Sequence, residues 1–516
     1  MALPQVITAT NDRVYMDNIN WHKLRDPSLL KSGVCYVNGS WITAQSGKVF
    51  DVHGTFVPFH NPANDTKIAQ CPDFDQADTT AVIDAAYAAL PEYSRLSGRQ
   101  RSKLLRKWYD LVIEKSDDLG VLITWENGKP IAEGNGEVQF AASLIEWFSE
   151  EAPRIYGDSI PSSCGKKHIV TYREPIGVCA LITPWNFPAA MVTRKAGAAL
   201  AAGCTVVCKV AAETPLTALA LADLASRAGF PKGAFNVITA STENTPAVGK
   251  VLTTHPIIKK VSFTGSTRVG KLLAEQSAST LKKLSLELGG NAPFIVFDNA
   301  DLDAAIAGAV ICKFRGSGQT CVCANRFFIH AKVYEQFVNR LTEIMQTTFK
   351  VGSGFDKATT HGPLIHQGSV TRLDEWISEA KSKGACITGG GKMDGPGSFY
   401  QPTLITGATP DMRVAQEELF GPVAVIFSFE SEDELVERVN SVSVGLAGYI
   451  WSTDTRCIQR VAERLELGMI GVNTPIVADA ASPFGGIKES GYGLEGSKYG
   501  VQEYTVLKTM TYSKSD

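Results

Sequence analysis

The chain has 516 residues, 44% of them hydrophobic and 20% charged, and this length allows about two to four domains of ordinary size. Its net charge is −3, from 50 basic and 53 acidic residues, and no basic run gives an electrostatic footprint for nucleic acid or an anionic membrane. We therefore expect small molecules and copies of the chain itself as partners, with no nucleic acid and no membrane.

Two further features bear on cellular location and on metals. Residues 1–21 carry Asp12 and Asp17 against a single Arg13, without an apolar core, and so look like neither a secretory signal nor an Arg-rich transit peptide. The 11 cysteines are scattered, and the eight histidines form no cluster with metal-ligand spacing. We expect reduced thiols, a cytoplasmic protein and no metal.

Apolar and β-branched runs alternate with helical patterns along the chain. The first series predicts strands at residues 178–183, 205–209, 235–239 and 257–264 and helices near 189–202, 214–228 and 243–254. The second series predicts strands at 293–297, 326–330 and 423–429 and helices at 301–315 and 331–349. Such alternation indicates right-handed βαβ units, and therefore two α/β domains that are each built on a parallel sheet.

Two polar strands, at residues 167–173 and 504–512, lie outside both series. Their alternation suits pairing at a sheet edge, and exposed edges attract a partner strand. The alternative is a pair of edge strands that are covered within one subunit.

Residues 318–323 (GQTCVC) place the thiol of Cys321 in a short loop downstream of Glu287, which lies in the segment 286–290 (LELGG). A thiol and a carboxylate in such segments suggest covalent catalysis followed by base-assisted hydrolysis. Most cysteines are small buried hydrophobes, which is the alternative for Cys321. Residues 183–188 (TPWNFP) favour catalysis, because two prolines would fix a turn that presents the Asn186 amide to a developing oxyanion.

Together with residues 261–266 (VSFTGS) and 418–422 (ELFGP), these segments resemble the aldehyde dehydrogenase superfamily, from about Asn38 to Met510. The resemblance implies an α/β fold with a Rossmann-type cofactor domain, an α/β catalytic domain and a small β oligomerisation arm. The implied limits are 1–163, 174–286 and 470–496 for the cofactor domain, 287–469 for the catalytic domain, and 164–173 and 497–516 for the arm. It also implies a homodimer or homotetramer.

The same resemblance implies a mechanism. Cys321 would add to an aldehyde, and the oxyanion would be held by the Asn186 amide and the Cys321 N–H. After hydride transfer to a nicotinamide, Glu287 would deprotonate the water that hydrolyses the thioester.

The dinucleotide site departs from the common glycine fingerprint, because Gly265 and Gly270 at a strand-to-helix junction are spaced differently. The junction still leaves backbone N–H groups free at a helix N-terminus, where a pyrophosphate can be held. By resemblance, the neighbouring contacts come from the following residues: Trp185, Lys209, Ser266, Glu418 and Phe420.

Ala212 lies three residues beyond Lys209, where NAD-preferring relatives commonly carry a glutamate that repels a 2′-phosphate. Its absence favours NADP, with NAD as the alternative cofactor. Glu213 is adjacent in sequence and is expected to project in another direction.

Two arginines suggest the substrate class. Arg194 lies eight residues after Asn186, roughly 12 Å along a helix axis, and Arg315 lies six residues before Cys321. Arginine suits carboxylate recognition, and the segments around both residues resemble those of succinate-semialdehyde dehydrogenases. Ser482 is a candidate third contact, since Ala478 offers no hydroxyl where relatives often carry a serine. The alternatives are a broad aldehyde dehydrogenase without a carboxylate preference and a non-catalytic relative.

Cys321 and Cys323 are separated by one residue. In relatives of the succinate-semialdehyde type such a pair can close into a disulfide that silences the enzyme, so the resemblance implies a redox switch here. The alternative is that Cys323 only packs.

Overall fold

The computed structural model describes residues 24–54 and 67–514. The prediction about a targeting segment in residues 1–21 therefore lies outside the described residues. Within them, no helix has both the length and the apolar character needed to cross a membrane.

The strands are β1 Cys35–Val37, β2 Ser40–Ile42, β3 Val49–His53, β4 Lys67–Pro72, β5 Ser159–Pro161, β6 Lys167–Pro175, β7 Val178–Ile182, β8 Thr205–Lys209, β9 Phe235–Ile238, β10 Ile258–Thr264, β11 Lys283–Glu287, β12 Ala292–Val296, β13 Ala324–His330, β14 Cys386–Lys392, β15 Tyr400–Thr406, β16 Val423–Phe429, β17 Val444–Gly445, β18 Ala447–Trp451, β19 Met469–Val472, β20 Ile487–Lys488, β21 Gly491–Tyr492 and β22 Thr505–Ser513.

The α-helices are α1 Gln76–Ser94, α2 Gly98–Glu114, α3 Ser116–Asn127, α4 Ile131–Glu151, α5 Ala190–Ala202, α6 Leu216–Ala228, α7 Thr245–Thr254, α8 Thr267–Ser277, α9 Leu302–Phe314, α10 Tyr334–Thr348, α11 Gln367–Ser382, α12 Arg413–Gln416, α13 Glu432–Asn440, α14 Thr455–Ala462 and α15 Ser497–Gln502.

The first sheet has the strand order β2-β1-β9-β8-β7-β10-β11-β21. Strands β9, β8, β7, β10 and β11 are parallel, and antiparallel strands close both edges. The chain starts the parallel set at β7, adds β8 and β9 on one side and then returns to add β10 and β11 on the other, which is the Rossmann order. The reversal lies between β7 and β10, so a ligand crevice is expected at their carboxyl ends.

The second sheet has the order β14-β15-β16-β13-β12-β18-β19, and it is parallel except for β14. The predicted fold class, α/β with a Rossmann-type domain and a second α/β domain, is confirmed. The predicted helices and strands of both series also match the observed ones to within a few residues.

Sheet membership differs from the predicted domain limits at two places. Strand β19 pairs with β18 in the second sheet, although we assigned residues from 470 onward to the cofactor domain. Strand β5 joins β6 and β22 in a separate three-stranded sheet, so the arm begins before residue 164. Both strands pair with a neighbouring strand of the chain, β5 with β6 and β19 with β18, and this pairing sets their sheet membership.

Helix α5 is a buried helix that carries residues of the candidate site. All of its residues are buried, and its small side chains allow close approach: a Cβ on Gly197 would lie 2.7 Å from the Phe148 ring of α4. Arg194 and Lys195 lie on this helix, and buried cations require anionic partners.

Candidate active site and cofactor cleft

The loop that carries Cys321 lies between α9 and β13 and has an unusual backbone. Gly316, Ser317 and Gly318 have φ values of 60°, 52° and 74°, in the left-handed region. A Cβ on Gly318 would lie 2.1 Å from the carbonyl oxygen of Gly421, so only glycine permits this approach. The loop therefore packs directly against the segment that carries Glu418.

Hydrogen bonds hold this loop on both sides of the thiol. Asn186 Nδ2 donates to the Gln319 carbonyl at 3.1 Å, and Tyr449 Oη donates to the Val322 carbonyl at 2.8 Å. Cys321 itself is half-buried. The structure thus brings the predicted nucleophile and the predicted oxyanion donor together.

The Asn186 loop has a support that the sequence analysis missed. Lys129 Nζ donates to the Asn186 carbonyl at 2.8 Å and pairs with Glu137 at 2.7 Å. Glu137 Oε1 accepts from Ala189 N at 2.8 Å, where α5 begins without a side-chain cap of its own. The absence of a capping residue before α5 was the signal that could have indicated an outside carboxylate.

Glu287, at the end of β11, belongs to a buried charge cluster. Arg194 Nη2 donates to Glu287 Oε2 at 3.0 Å, and Arg194 Nε donates to Glu495 Oε2 at 2.7 Å. Lys195 Nζ also pairs with Glu495. Burial raises the pKa of Glu495, but Lys195 and Arg194 outweigh this effect and lower it to about 2. Glu495 was not predicted as part of the site.

The environment of the Cys321 thiol does not stabilise the thiolate in this structure. Burial raises the pKa of Cys321 well above its usual range, and the adjacent Glu287 carboxylate raises it further. The Arg194 guanidinium acts in the opposite direction. In this state the protonated thiol is favoured.

Several buried polar atoms at the site lack a hydrogen-bond partner among the described residues. They are Asn186 Oδ1, Glu287 Oε1, Thr264 Oγ1 and Thr320 Oγ1. Because unpaired buried polar atoms are rare in folded proteins, these atoms point to places where substrate, cofactor or water makes the missing bond.

A cavity of about 490 Å³ opens on Cys321. Its walls are mainly apolar, and both predicted arginines line it. Arg194 is 2% exposed and engaged by two carboxylates, whereas the exposed Arg315 has no ion pair within residues 24–54 and 67–514. The Arg315 guanidinium lies 5.9 Å from the centre of the Phe187 ring. Arg315 is therefore the exposed cation at this cavity, although the Glu133 carboxylate, which also lines it, lies close enough to be affected by its charge.

Ser482 is not among the residues that line this cavity. The chain turns at Asp479, whose carboxylate accepts from Ala481 N at 2.8 Å, and both Asp479 and Ser482 line a separate cavity of about 450 Å³. The same segment presents Ile476 and Ala478 to the cavity that contains Cys321. The two cavities therefore adjoin along this segment.

Cys323 is buried, and its Sγ donates to the Lys313 carbonyl at 3.0 Å. Both Cys321 and Cys323 are free thiols in this structure. A bond between them would require Cys323 to leave Lys313.

Most of the predicted cofactor residues surround the carboxyl ends of the parallel strands. Ser266 is the N-cap of α8 and accepts from Val269 N at 3.4 Å. Gly270 serves helix packing, since a Cβ there would lie 2.4 Å from the Leu288 side chain. A Cβ on Gly265 would lie 2.3 Å from the Phe263 ring, so the absence of a side chain here also allows close packing.

On the opposite wall, Glu418 lines a cleft of about 910 Å³ together with Ser266. Burial raises the pKa of Glu418 to about 8, although Gly290 N donates to it at 3.3 Å. Phe420 has a left-handed φ of 49°, and its ring meets the Trp185 ring edge-on at 5.6 Å. A non-glycine residue in this conformation is a strained position of the kind found at ligand sites.

Lys209 ends β8 and is buried, which lowers its pKa to about 8. The charge of Glu213 opposes this shift. Ala212 is half-buried and carries no charge. The helix N-terminus at Ser266, this lysine and the unpartnered Thr264 hydroxyl form a donor set that fits a dinucleotide.

Comparison with known proteins is consistent with this geometry. The chain is 52% identical over 482 residues to a succinate-semialdehyde dehydrogenase [NADP(+)] of Schizosaccharomyces pombe, covering 93% of this chain and 94% of the relative. It is 48% identical to a 3-sulfolactaldehyde dehydrogenase of Pseudomonas putida, covering 94% and 98%. A crystal structure of an Escherichia coli NADP-dependent enzyme superposes with a TM-score of 0.92 at 48% identity, covering 95% and 100%. Residues 50–510 match the aldehyde dehydrogenase family, and the chain belongs to this family.

Proposed function

We propose that this aldehyde dehydrogenase oxidises succinic semialdehyde, or a similar aldehyde with an acidic group at its far end, and that it uses NADP. The observation that carries the proposal is Arg315, a guanidinium without an ion pair in the described chain, at an apolar cavity that contains Cys321. The names of the relatives support it, since one refers to succinate semialdehyde and another to a sulfonated aldehyde.

In the proposed mechanism, the Cys321 thiol loses its proton to water in the cavity, and the thiolate adds to the aldehyde carbon. The Asn186 amide, with one hydrogen on Gln319 and one free, and the Cys321 N–H hold the oxyanion. Bound NADP supplies the hydride acceptor. Cys321 then carries a thioester, and Glu287 takes a proton from the water that hydrolyses it.

For the cofactor, we propose that the N-terminus of α8 at Ser266 holds the pyrophosphate and that Trp185 lies beside it. Lys209 would bind the adenosine ribose, and Glu418 and Phe420 would contact the nicotinamide half. The uncharged Ala212 leaves room for a 2′-phosphate near Lys209, which supports NADP over NAD.

We further propose a cytoplasmic homodimer or homotetramer that associates through the three-stranded sheet of β5, β6 and β22. Apolar side chains on β22 support this, because Val506, Leu507 and Tyr512 are 42%, 54% and 47% exposed in the single chain. Exposed apolar strands of this kind mark interaction surfaces.

The test compares kcat/KM for succinic semialdehyde with that for butanal, which has the same number of carbons and no charge. A charge-assisted contact worth roughly 1.5–3 kcal/mol predicts a preference of about ten- to a hundredfold for the acid. Arg315→Met should remove most of it, while Arg340→Met, on the remote helix α10, should not. Equal values in the wild type would indicate a broad aldehyde dehydrogenase instead.

A further inference from the structure

The base Glu287 and the substrate cavity are linked through one side chain, Arg194. Its Nη2 donates to Glu287 at 3.0 Å and its Nε to Glu495 at 2.7 Å, while the same residue lines the cavity beside Cys321. Phe484 covers the guanidinium, with the ring centre 4.1 Å from Cζ. Arg194 therefore cannot swing away from Glu287 without leaving a closely packed site.

The charges of this cluster balance without a substrate. Arg194 and Lys195 provide two cations, and Glu287 and Glu495 provide two anions, all buried. Glu495 also has Lys195 as a second partner, whereas Arg194 is the cation that pairs with Glu287. The weaker attachment in the cluster is thus the bond between Arg194 and Glu287.

A third carboxylate would upset this balance. Arg194 lines the cavity, and its Nη1 donates to no residue in the described parts of the chain, so this nitrogen is the one left to bond a substrate acid. In a water-poor site, a third carboxylate on this guanidinium is repelled by the two that it already holds. Glu495 is held by Lys195 as well, so Glu287 is the carboxylate that yields.

We propose that the acid group of the substrate displaces Glu287 from Arg194 and thereby releases the base for thioester hydrolysis. This inference rests on the proposed function. Arg194 is then a positioning residue that couples recognition of the acid to the second half of the reaction, while Arg315 supplies the main attraction for the acid.

The step that the released Glu287 assists is ordinary thioester hydrolysis. Water adds through its oxygen to the thioester carbon, and one of its protons passes to Glu287. The carbon–sulfur bond then breaks, the sulfur leaves as the Cys321 thiolate and the acid product departs. The orphaned Oε1 of Glu287 is the atom suited to accept that proton once the side chain is free to turn.

We therefore expect a neutral aldehyde to acylate Cys321 and the resulting thioester to be hydrolysed slowly. With propanal and NADP, stopped-flow should show a burst of reduced cofactor followed by a slow steady state. Formate supplies the missing carboxylate, since propanal and formate together carry the functional groups of succinic semialdehyde. We expect formate, at constant ionic strength, to raise the steady-state rate about threefold or more without changing the burst.

Formamide, which has the same shape and no charge, serves as the matched control and should have no effect. If formate leaves the steady-state rate unchanged or lowers it in the wild-type enzyme, the proposal is wrong. A preference for succinic semialdehyde over butanal in the same preparation would leave the proposed function intact, so the two failures are distinguishable.

A variant gives a second test. Arg194→Lys keeps the charge but cannot reach Glu495 and Glu287 through separate nitrogens. It should lose the response to formate and the difference in steady-state kcat between acid and neutral substrates, while the burst with propanal persists. A full formate response in Arg194→Lys would also overturn the proposal. Should this variant fail to fold, the titration of the wild type decides alone.

Discussion

Asn186 Nδ2 lies 3.1 Å from the main-chain oxygen of Gln319, two residues before Cys321. The predicted oxyanion donor is therefore bound to the loop that carries the predicted nucleophile. Lys129 holds the main chain of Asn186 from the other side at 2.8 Å. Both groups are positioned before any aldehyde enters, which is the preorganisation that oxyanion stabilisation requires.

Asn186→Ala should lower the rate of the first hydride transfer by about 10²–10³-fold, because an oxyanion donor is lost. Stopped-flow measurement of the burst rate tests this. Asn127→Ala is the matched control, since Asn127 Nδ2 holds the same loop through the Trp185 carbonyl at 3.1 Å. Equal losses in the two variants would show that Asn186 only supports the loop.

Local patterns were sufficient to predict the two α/β series, because hydrophobic periodicity and motif residues can each be read within a single segment of the chain. Strand β19 pairs with β18 of the second sheet, although the implied limits placed residues from 470 onward in the cofactor domain, because a limit drawn along the sequence does not show which strands pair. Ser482 lines a neighbouring cavity, beyond a turn at Asp479 that spacing does not reveal.

The role of Arg194 shows the same limit at the site. Its identity and position predicted a cation at the cavity, which the structure bears out. Its partner Glu495 lies 301 residues away along the chain, and no pattern in the sequence connects the two. When the ion-pair partner of a charged residue is distant in sequence, that residue looks unpaired until the fold is known.

Cys321→Ala should abolish aldehyde oxidation while leaving NADP binding intact, because the thiol acts only on the aldehyde. Activity assays and fluorescence titration with NADP measure the two effects. Cys323→Ala should retain activity, since Cys323 bonds to Lys313 and does not line the cavity. Normal turnover by Cys321→Ala would show that the nucleophile lies elsewhere.

Glu287→Gln should allow one hydride transfer and then stall at the thioester, because the amide cannot take a proton from water. The expected signal is a burst of reduced cofactor close to one per active site, followed by a steady state reduced by about 10²–10⁴-fold. Glu137→Gln offers a contrast, since Glu137 supports the loop of Asn186. Loss of the burst in Glu287→Gln would mean that this carboxylate is also required for acylation.

Peroxide should inactivate the wild-type enzyme reversibly. The oxidant converts the Cys321 thiol to a sulfenic acid, and Cys323, once it has left the Lys313 carbonyl, attacks that sulfur, releases water and closes a disulfide. Dithiothreitol should restore activity. In Cys323→Ala the sulfenic acid has no neighbouring thiol and should proceed to irreversible products, so equal recovery in both proteins would exclude the switch.

NADP binding should weaken as the pH rises through about 8, because burial lowers the pKa of Lys209 to about 8 in the free enzyme. Below that pH the side chain is protonated and attracts the anionic adenosine phosphates; above it the charge is lost. Bound phosphate stabilises the protonated form, so the decline should continue above pH 8, at a slope of at most about tenfold in Kd per pH unit. Isothermal titration with NADP between pH 6.5 and about 9.5 measures this.

Lys209→Arg separates this effect from other titrations, because arginine keeps its charge throughout that range. Its Kd should depend little on pH, and NAD, which lacks the 2′-phosphate, should show a smaller slope than NADP with the wild type. If the wild type and Lys209→Arg have the same slope with NADP, the titrating group is another residue, and Lys209 does not carry the charge that the cofactor meets.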